Sequence, residues 1–143
     1  MENDMTSSLE TNKALLRRMV DEVLNRKNLD VIPDLVADDY IDHNAAPGQP
    51  QGIQAFIQAR INRNTAFPDW HVTLNDVIAE DDKIVARATG RGTHQGPCMG
   101  VAATGKAVTT TWIVIYRIVG GKLAEHWINS DDVGLLRQLG AIP

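Results

Sequence analysis

A single cysteine, Cys98, stands among 143 residues, which excludes an internal disulfide and any metal site built on several cysteines. There is no basic surplus either: 14 Lys and Arg against 18 Asp and Glu give a formal charge of -4. The basic side chains are scattered singly and form no stripe that would track phosphates, so nucleic acid is not an expected partner. The longest apolar runs, such as residues 112–116, fall far short of the roughly 20 residues that span a bilayer. The opening MENDMTSSLE is polar and acidic where a leader would be basic and then apolar. No membrane anchor and no signal peptide are expected, and a reducing cytoplasm is the expected location.

What is present fits one domain over residues 1–143, since a domain of about 150 residues buries roughly 68–70% of its unfolded surface around one core. Ser7 with Glu10 three residues on reads as a capping box. Leu15/Leu16, Met19/Val20 and Val23/Leu24 then recur at helical spacing, predicting an amphipathic helix over 8–26. Asp30 is placed to cap a short second helix with Pro33 in its first turn, ending near Ala37. Residues 40–43 read as extended, and Pro47, Gly48, Pro50 and Gly52 mark a loop. Ile53, Phe56, Ile57 and Ile61 fit a third helix, which must stop before Phe67 because the residue before Pro68 disfavours helical angles.

Beyond Pro68 the hydrophobic period changes to two, with strands expected over 70–79, 83–92, 107–119 and 122–129. Glu80-Asp81-Asp82 and Gly120-Gly121 are hairpin chemistry, so the first two strands pair antiparallel and so do the last two. Residues 96–105 form a longer loop, and 133–139 close the chain as a short helix or turn. Helices followed by antiparallel strands give an α+β domain, in which helices cover one face of a curved sheet and enclose a pocket. Both faces of residues 109–117 are largely apolar: Thr110, Trp112, Val114 and Tyr116 on one, Ile113 and Ile115 on the other. A face not covered by helices needs another cover, and a second copy of the chain, making a homodimer through the outer sheet face, is the simplest one.

The four histidines, His43, His71, His94 and His126, match no local metal-binding spacing. No G-x-S-x-G elbow occurs, and the glycine-rich segment HQGPCMGVAATGK is followed by a strand, which removes the helix N-terminus that a phosphate site uses. What remains is a set of acids and histidines near strand ends: Asp42, His43, Asp69, His94, Glu125, His126, Asp131 and Asp132. A carboxylate or imidazole beside an apolar cavity can abstract a proton next to a carbonyl. His94 follows the small-residue face Ala86, Ala88, Gly90 and Gly92, so it either overhangs an open space or bonds to the backbone. His43 stands either at the cavity mouth or in a turn with Asp42 and Asn44, and Asp131 is either a chemical group or a helix cap. His71 reads as a surface strand residue, and Cys98 and Met99 as adaptable apolar contacts. The last strand offers two faces, Leu123/Glu125/Trp127/Asn129 and Ala124/His126/Ile128, and its sequence does not say which one is inside. Trp112, Tyr116 and Trp127 are candidate cavity walls.

Together, the opening LLRRMVDEVLNRKNLDVIPDLVADDYIDHN, the FPDW turn, GRGTHQG, the TGK after the loop, and RIVGGKLAEHW with DDVGLLRQLG resemble the SnoaL-like polyketide cyclase family over about residues 10–140. The resemblance implies the cone-shaped α+β barrel also seen in ketosteroid isomerase and limonene-epoxide hydrolase, with a curved antiparallel or mixed sheet. It implies closure of a polycyclic ring by intramolecular aldol condensation of a polyketide ester, with an aspartate as acid and base and no metal or cofactor. His94 matches the family's histidine before the loop, and Asp131 matches a second acid near the chain end. The chain departs from the pattern where Ile128 replaces the cyclases' catalytic aspartate, Val114 a pocket histidine and Trp112 a pocket glutamine. An isoleucine transfers no proton, so Asp131, His43, His94 or His126 has taken that role, or the aldol chemistry is not performed.

The leading expectation is an acid–base enzyme acting on a hydrophobic carbonyl or ester compound. Asp131, His94 and His43 are its catalytic candidates, and Trp112, Val114, Tyr116, His126, Trp127 and Ile128 its substrate-binding candidates. The alternative is a module that binds a small hydrophobic molecule without chemistry. A third reading, epoxide hydration, needs Arg91 or Arg117 to reach inward beside Asp131.

Overall fold

The computed structural model describes residues 2–143 and, from residue 8 onward, their side chains. The expected cap at Ser7 lies outside the described side chains. Helix α1 (Glu2–Arg18) runs on through a π-helical stretch, Met19–Asn25. Leu16, Met19, Val20 and Val23 bury the apolar stripe that the spacing predicts. Asn28, and not Asp30, caps the next turn, its side chain accepting from the Asp30 amide. A 3-10 turn (Leu29–Val31) leads into α2 (Ile32–Leu35), which carries Pro33 at its start. That helix ends before Ala37 because the chain is already extended at Val36 and enters β1 (Val36–Asp42). Then come α3 (Ile53–Ala66), β2 (His71–Glu80), β3 (Lys83–Thr93), β4 (Ala107–Val119), β5 (Lys122–Ser130) and α4 (Asp132–Gln138).

The five strands form one mixed sheet in the order β1-β5-β4-β3-β2. It is open, not a closed barrel: β1 and β2 are its two edges. The hairpins are antiparallel as their turn residues require, with Gly120 and Gly121 both at positive φ, while β1 runs parallel to β5. On the helix-covered face β3 presents Ala86, Ala88, Gly90 and Gly92. The missing side chains leave room for two indoles: a Cβ on Gly90 would stand 2.2 Å from Trp70 and 2.8 Å from Trp112. Those rings stack at 6.3 Å, and Trp70 also packs on Phe67 at 5.1 Å. The core therefore sits between α1, α2 and the inner sheet face. Toward β1 and β5 the helices stand off from the sheet and a space remains.

Candidate functional site

That space is a cavity of about 880 Å³ between α3 and the inner face of β1, β5 and β4. Its sheet wall is Thr110, Trp112, Val114 and Tyr116 from β4 and His126, Ile128 and Ser130 from β5. The inner face of the last strand is therefore the one carrying His126 and Ile128. Five of the expected substrate-binding residues, Trp112, Val114, Tyr116, His126 and Ile128, line the cavity. Trp127 has the opposite parity and lies on the outer face, 37% exposed.

One polar chain enters this wall. Parallel pairing sets Asp42 opposite His126, and His126 Nε2 lies 3.1 Å from Asp42 Oδ1. The Tyr40 hydroxyl hydrogen-bonds to His126 Nδ1. Asp42 is held on both sides of its backbone: its amide donates to Gln51 Oε1 at 2.9 Å, and Gln51 Nε2 donates to its carbonyl at 2.9 Å. The Asn44 amide donates to Asp42 Oδ1 at 2.8 Å, and Asn44 Oδ1 accepts the Ile128 amide at 2.8 Å, which locks the loop after β1 onto β5. Burial lowers the His126 pKa, with the neighbouring Asp42 charge partly opposing it. A neutral imidazole then donates from Nε2 to Asp42 and accepts at Nδ1 from Tyr40. Burial also raises the Tyr40 and Tyr116 hydroxyls, so both stay protonated donors. Phe56 of α3 closes edge-on against Tyr40 at 5.1 Å, and Arg60, one turn on, lines the same space.

The three expected catalytic residues, His43, His94 and Asp131, stand away from the cavity wall. His43 is on the outer side, its Nε2 2.9 Å from Glu125 Oε1 and its ring stacked on Trp127 at 4.5 Å. Glu125 also accepts from Arg117, and these two bonds, Arg117's first, hold its carboxyl below the usual carboxylate range. His94 is fully buried at the end of β3; its Nδ1 accepts from the Thr104 amide at 3.2 Å, and it packs against Phe67. It fastens the 96–105 loop to the sheet. Asp131 caps α4, its Oδ1 accepting from the Gly134 amide at 2.9 Å, while its neighbour Asp132 lines the cavity. Arg117 points outward to Glu125, and Arg91 is exposed on the face of β3 opposite Ala86 and Ala88, so neither of the two expected arginines reaches inward beside Asp131 as epoxide hydration requires. Among the described residues no group of three or more His, Cys, Asp or Glu is placed to hold a metal ion.

Sequence reasoning set Asp42 among the acids near strand ends but not at the site, and it passed over Tyr40, Arg60 and Arg63. A signal existed for each. Tyr40 and Asp42 share strand parity with the buried Val36, and Phe56, Arg60 and Arg63 share one helical face at i, i+4 and i+7.

An open curved sheet with helices on one face, closing around a single-walled polar relay in an otherwise mixed cavity, defines a cone-shaped α+β protein. The chain belongs to the SnoaL-like polyketide cyclase family, whose model matches residues 14–139. It is 31% identical over 130 residues to the aklanonic acid methyl ester cyclase DauD of Streptomyces sp. (strain C5), covering 88% of this chain and 80% of that one. The aklanonic acid methyl ester cyclase DnrD of Streptomyces peucetius is also 31% identical, with 88% of each chain covered. Among solved structures, TsrD from Streptomyces laurentii superposes with a TM-score of 0.86 at 30% identity, covering 93% of this chain and 97% of that one. Among the described residues no helix is long and apolar enough to cross a membrane.

Proposed function

We propose that this protein catalyses an intramolecular carbon–carbon ring closure on a hydrophobic polyketide carbonyl or ester compound, with Asp42 as acid and base and His126 and Tyr40 supporting it. The observation that carries this reading is the Tyr40–His126–Asp42 chain in a cavity wall where the family's usual position holds Ile128. Asp42 Oδ2 has no hydrogen-bond partner among the described residues, whereas Oδ1 is engaged by His126 and Asn44. Asp42 Oδ2 takes the proton from carbon beside one carbonyl. The resulting enolate carbon attacks the second carbonyl carbon, and the new alkoxide takes the same proton back from Asp42. His126 Nε2–H holds the carboxylate in place, and Tyr40 fixes the imidazole tautomer. The Trp112, Val114 and Ile128 side chains would hold the fused rings.

The test is turnover of a panel of polycyclic keto esters and the matching free acids that includes aklanonic acid methyl ester, following an isomeric product by chromatography and mass. Turnover lost in Asp42→Asn and His126→Asn supports the reading. Wild-type turnover in both variants overturns it, and recovery of an unchanged ligand from a stable complex replaces it with the binding-module reading.

The same reading includes a cytoplasmic location, which the lone half-buried Cys98 suits, and a homodimer through the outer sheet face. That face carries Ile113 at 52% exposure and Trp127 at 37%, with Ile115 between them in register. Light scattering on the full chain should give twice the chain mass, and Ile113→Lys should halve it; a monomeric wild type overturns the dimer.

A further inference from the structure

Arg60 and Arg63 leave α3 one turn apart and both line the cavity. Neither has a carboxylate within ion-pair distance among the described residues: Asp42, which lines the same space, is engaged by His126. Arg63 lies over the Trp70 ring at 4.9 Å and the Phe67 ring at 5.6 Å, and its Nη1 is buried with no hydrogen-bond partner. Arg60 lies 6.0 Å from the Phe56 ring. Burial and the Arg63 charge both lower the Arg60 pKa. Ring faces hold the guanidinium groups in place but satisfy none of their in-plane donors. Like charges three apart on a helix repel, both side chains are half-buried, and the enclosed Arg63 Nη1 lacks an acceptor. An anion in the cavity would supply that acceptor and offset the repulsion.

We propose that Arg60 and Arg63 form a carboxylate-binding subsite of the cavity, so that the preferred ligand is a polycyclic carbonyl compound bearing a free acid, not its ester. This rests on the cavity being the ligand site, as proposed above. A carboxylate offers two oxygens to the planar donor fork of a guanidinium, which suits it better than a neutral ester. Trp112, Val114 and Ile128 on the facing wall suit the fused rings that carry it.

The experiment is calorimetric titration of the full chain with anthraquinone-2-carboxylate and with its methyl ester, a pair differing in charge at one group. Hydrogen bonds to charged groups predict that the acid binds roughly tenfold or more tightly than the ester. Added salt should erode that advantage, Arg60→Gln and Arg63→Gln should each reduce it, and Arg63→Lys should restore part of it. Because Arg63→Gln removes packing from Trp70 and Phe67, the salt series on the wild type and the Arg60→Gln variant stand as independent readouts. Equal or tighter ester binding, or equal weakening of both ligands in Arg60→Gln, overturns the subsite while leaving the cavity reading intact. If neither compound binds, the cavity reading fails and the subsite with it.

Discussion

Asp42 and His126 face each other across the parallel pair formed by β1 and β5, 3.1 Å apart from carboxylate oxygen to imidazole nitrogen. Parallel pairing matters here because it brings the end of β1, which carries the carboxylate, to the middle of β5, which carries the imidazole that holds it. Removing a positioned acid–base group costs typically about 10²–10⁴-fold in rate. Asp42→Asn should therefore reduce kcat by that order with little effect on ligand affinity. Gln51→Ala, which frees the Asp42 backbone without touching its carboxylate, should cause a smaller loss; a variant with full kcat would show that the clamp does not position the acid.

The His126 shift sets a pH dependence. Its folded pKa lies below the ordinary histidine value of about 6.5, so between the two the unfolded chain binds a proton that the native chain does not. Stability from this group is thus complete above about pH 6.5 and is lost as the pH falls toward the folded value. Protonation also ends acceptance from Tyr40 at Nδ1, so turnover should fall over the same acid range. Thermal melts of wild type and His126→Asn from neutral to mildly acidic pH separate this histidine from the other three. The variant should lose less stability on acidification, and parallel curves would count against the assignment.

Gly90 tests the cavity's inner end. A methyl group there would meet Trp70 at 2.2 Å and Trp112 at 2.8 Å, and neither indole is the loose end of a flexible chain. Overpacking of this kind costs about 1–3 kcal/mol or more. Gly90→Ala should lower the denaturant midpoint by a corresponding amount and change tryptophan fluorescence, because it forces apart the stacked pair. An unchanged spectrum would mean that the rings do not share that space.

Element types were legible in the sequence because the period of apolar residues reports which surface is covered, and the change from 3.6 to 2 after Pro68 is abrupt. Ala107–Val119 has the boundaries that alternation predicts. The parallel partnership of β1 was not legible, since pairing between residues more than eighty positions apart leaves no local trace. The site suffered for the same reason. His126 and Ile128 were recognised as one face of β5, but only the partner strands decide that this face is inner. His43 and His94 have sequence neighbours that suit a cavity, yet a parity step places His43 on the outside against Trp127. The 96–105 loop closes over His94, whose ring accepts from the Thr104 amide. Two arginines on a helix face read as solvated until the sheet opposite them is known.

Asp131 separates resemblance from geometry most directly. The family resemblance matches it to a second acid near the chain end and makes it a catalytic candidate, whereas its side chain accepts the Gly134 amide at 2.9 Å and begins α4. Helix caps of this type contribute about 1 kcal/mol, and asparagine serves nearly as well as aspartate. Asp131→Ala should therefore lower thermal stability by that order, and Asp131→Asn should leave it almost unchanged. Both should keep wild-type turnover when assayed well below the melting temperature. A proton-transferring acid would behave in the opposite way: asparagine would preserve the fold and abolish the reaction. Measuring melting temperature and kcat on the two variants side by side decides the matter, because a cap tracks hydrogen-bond acceptance at the side-chain oxygen and an acid tracks the ionisable proton.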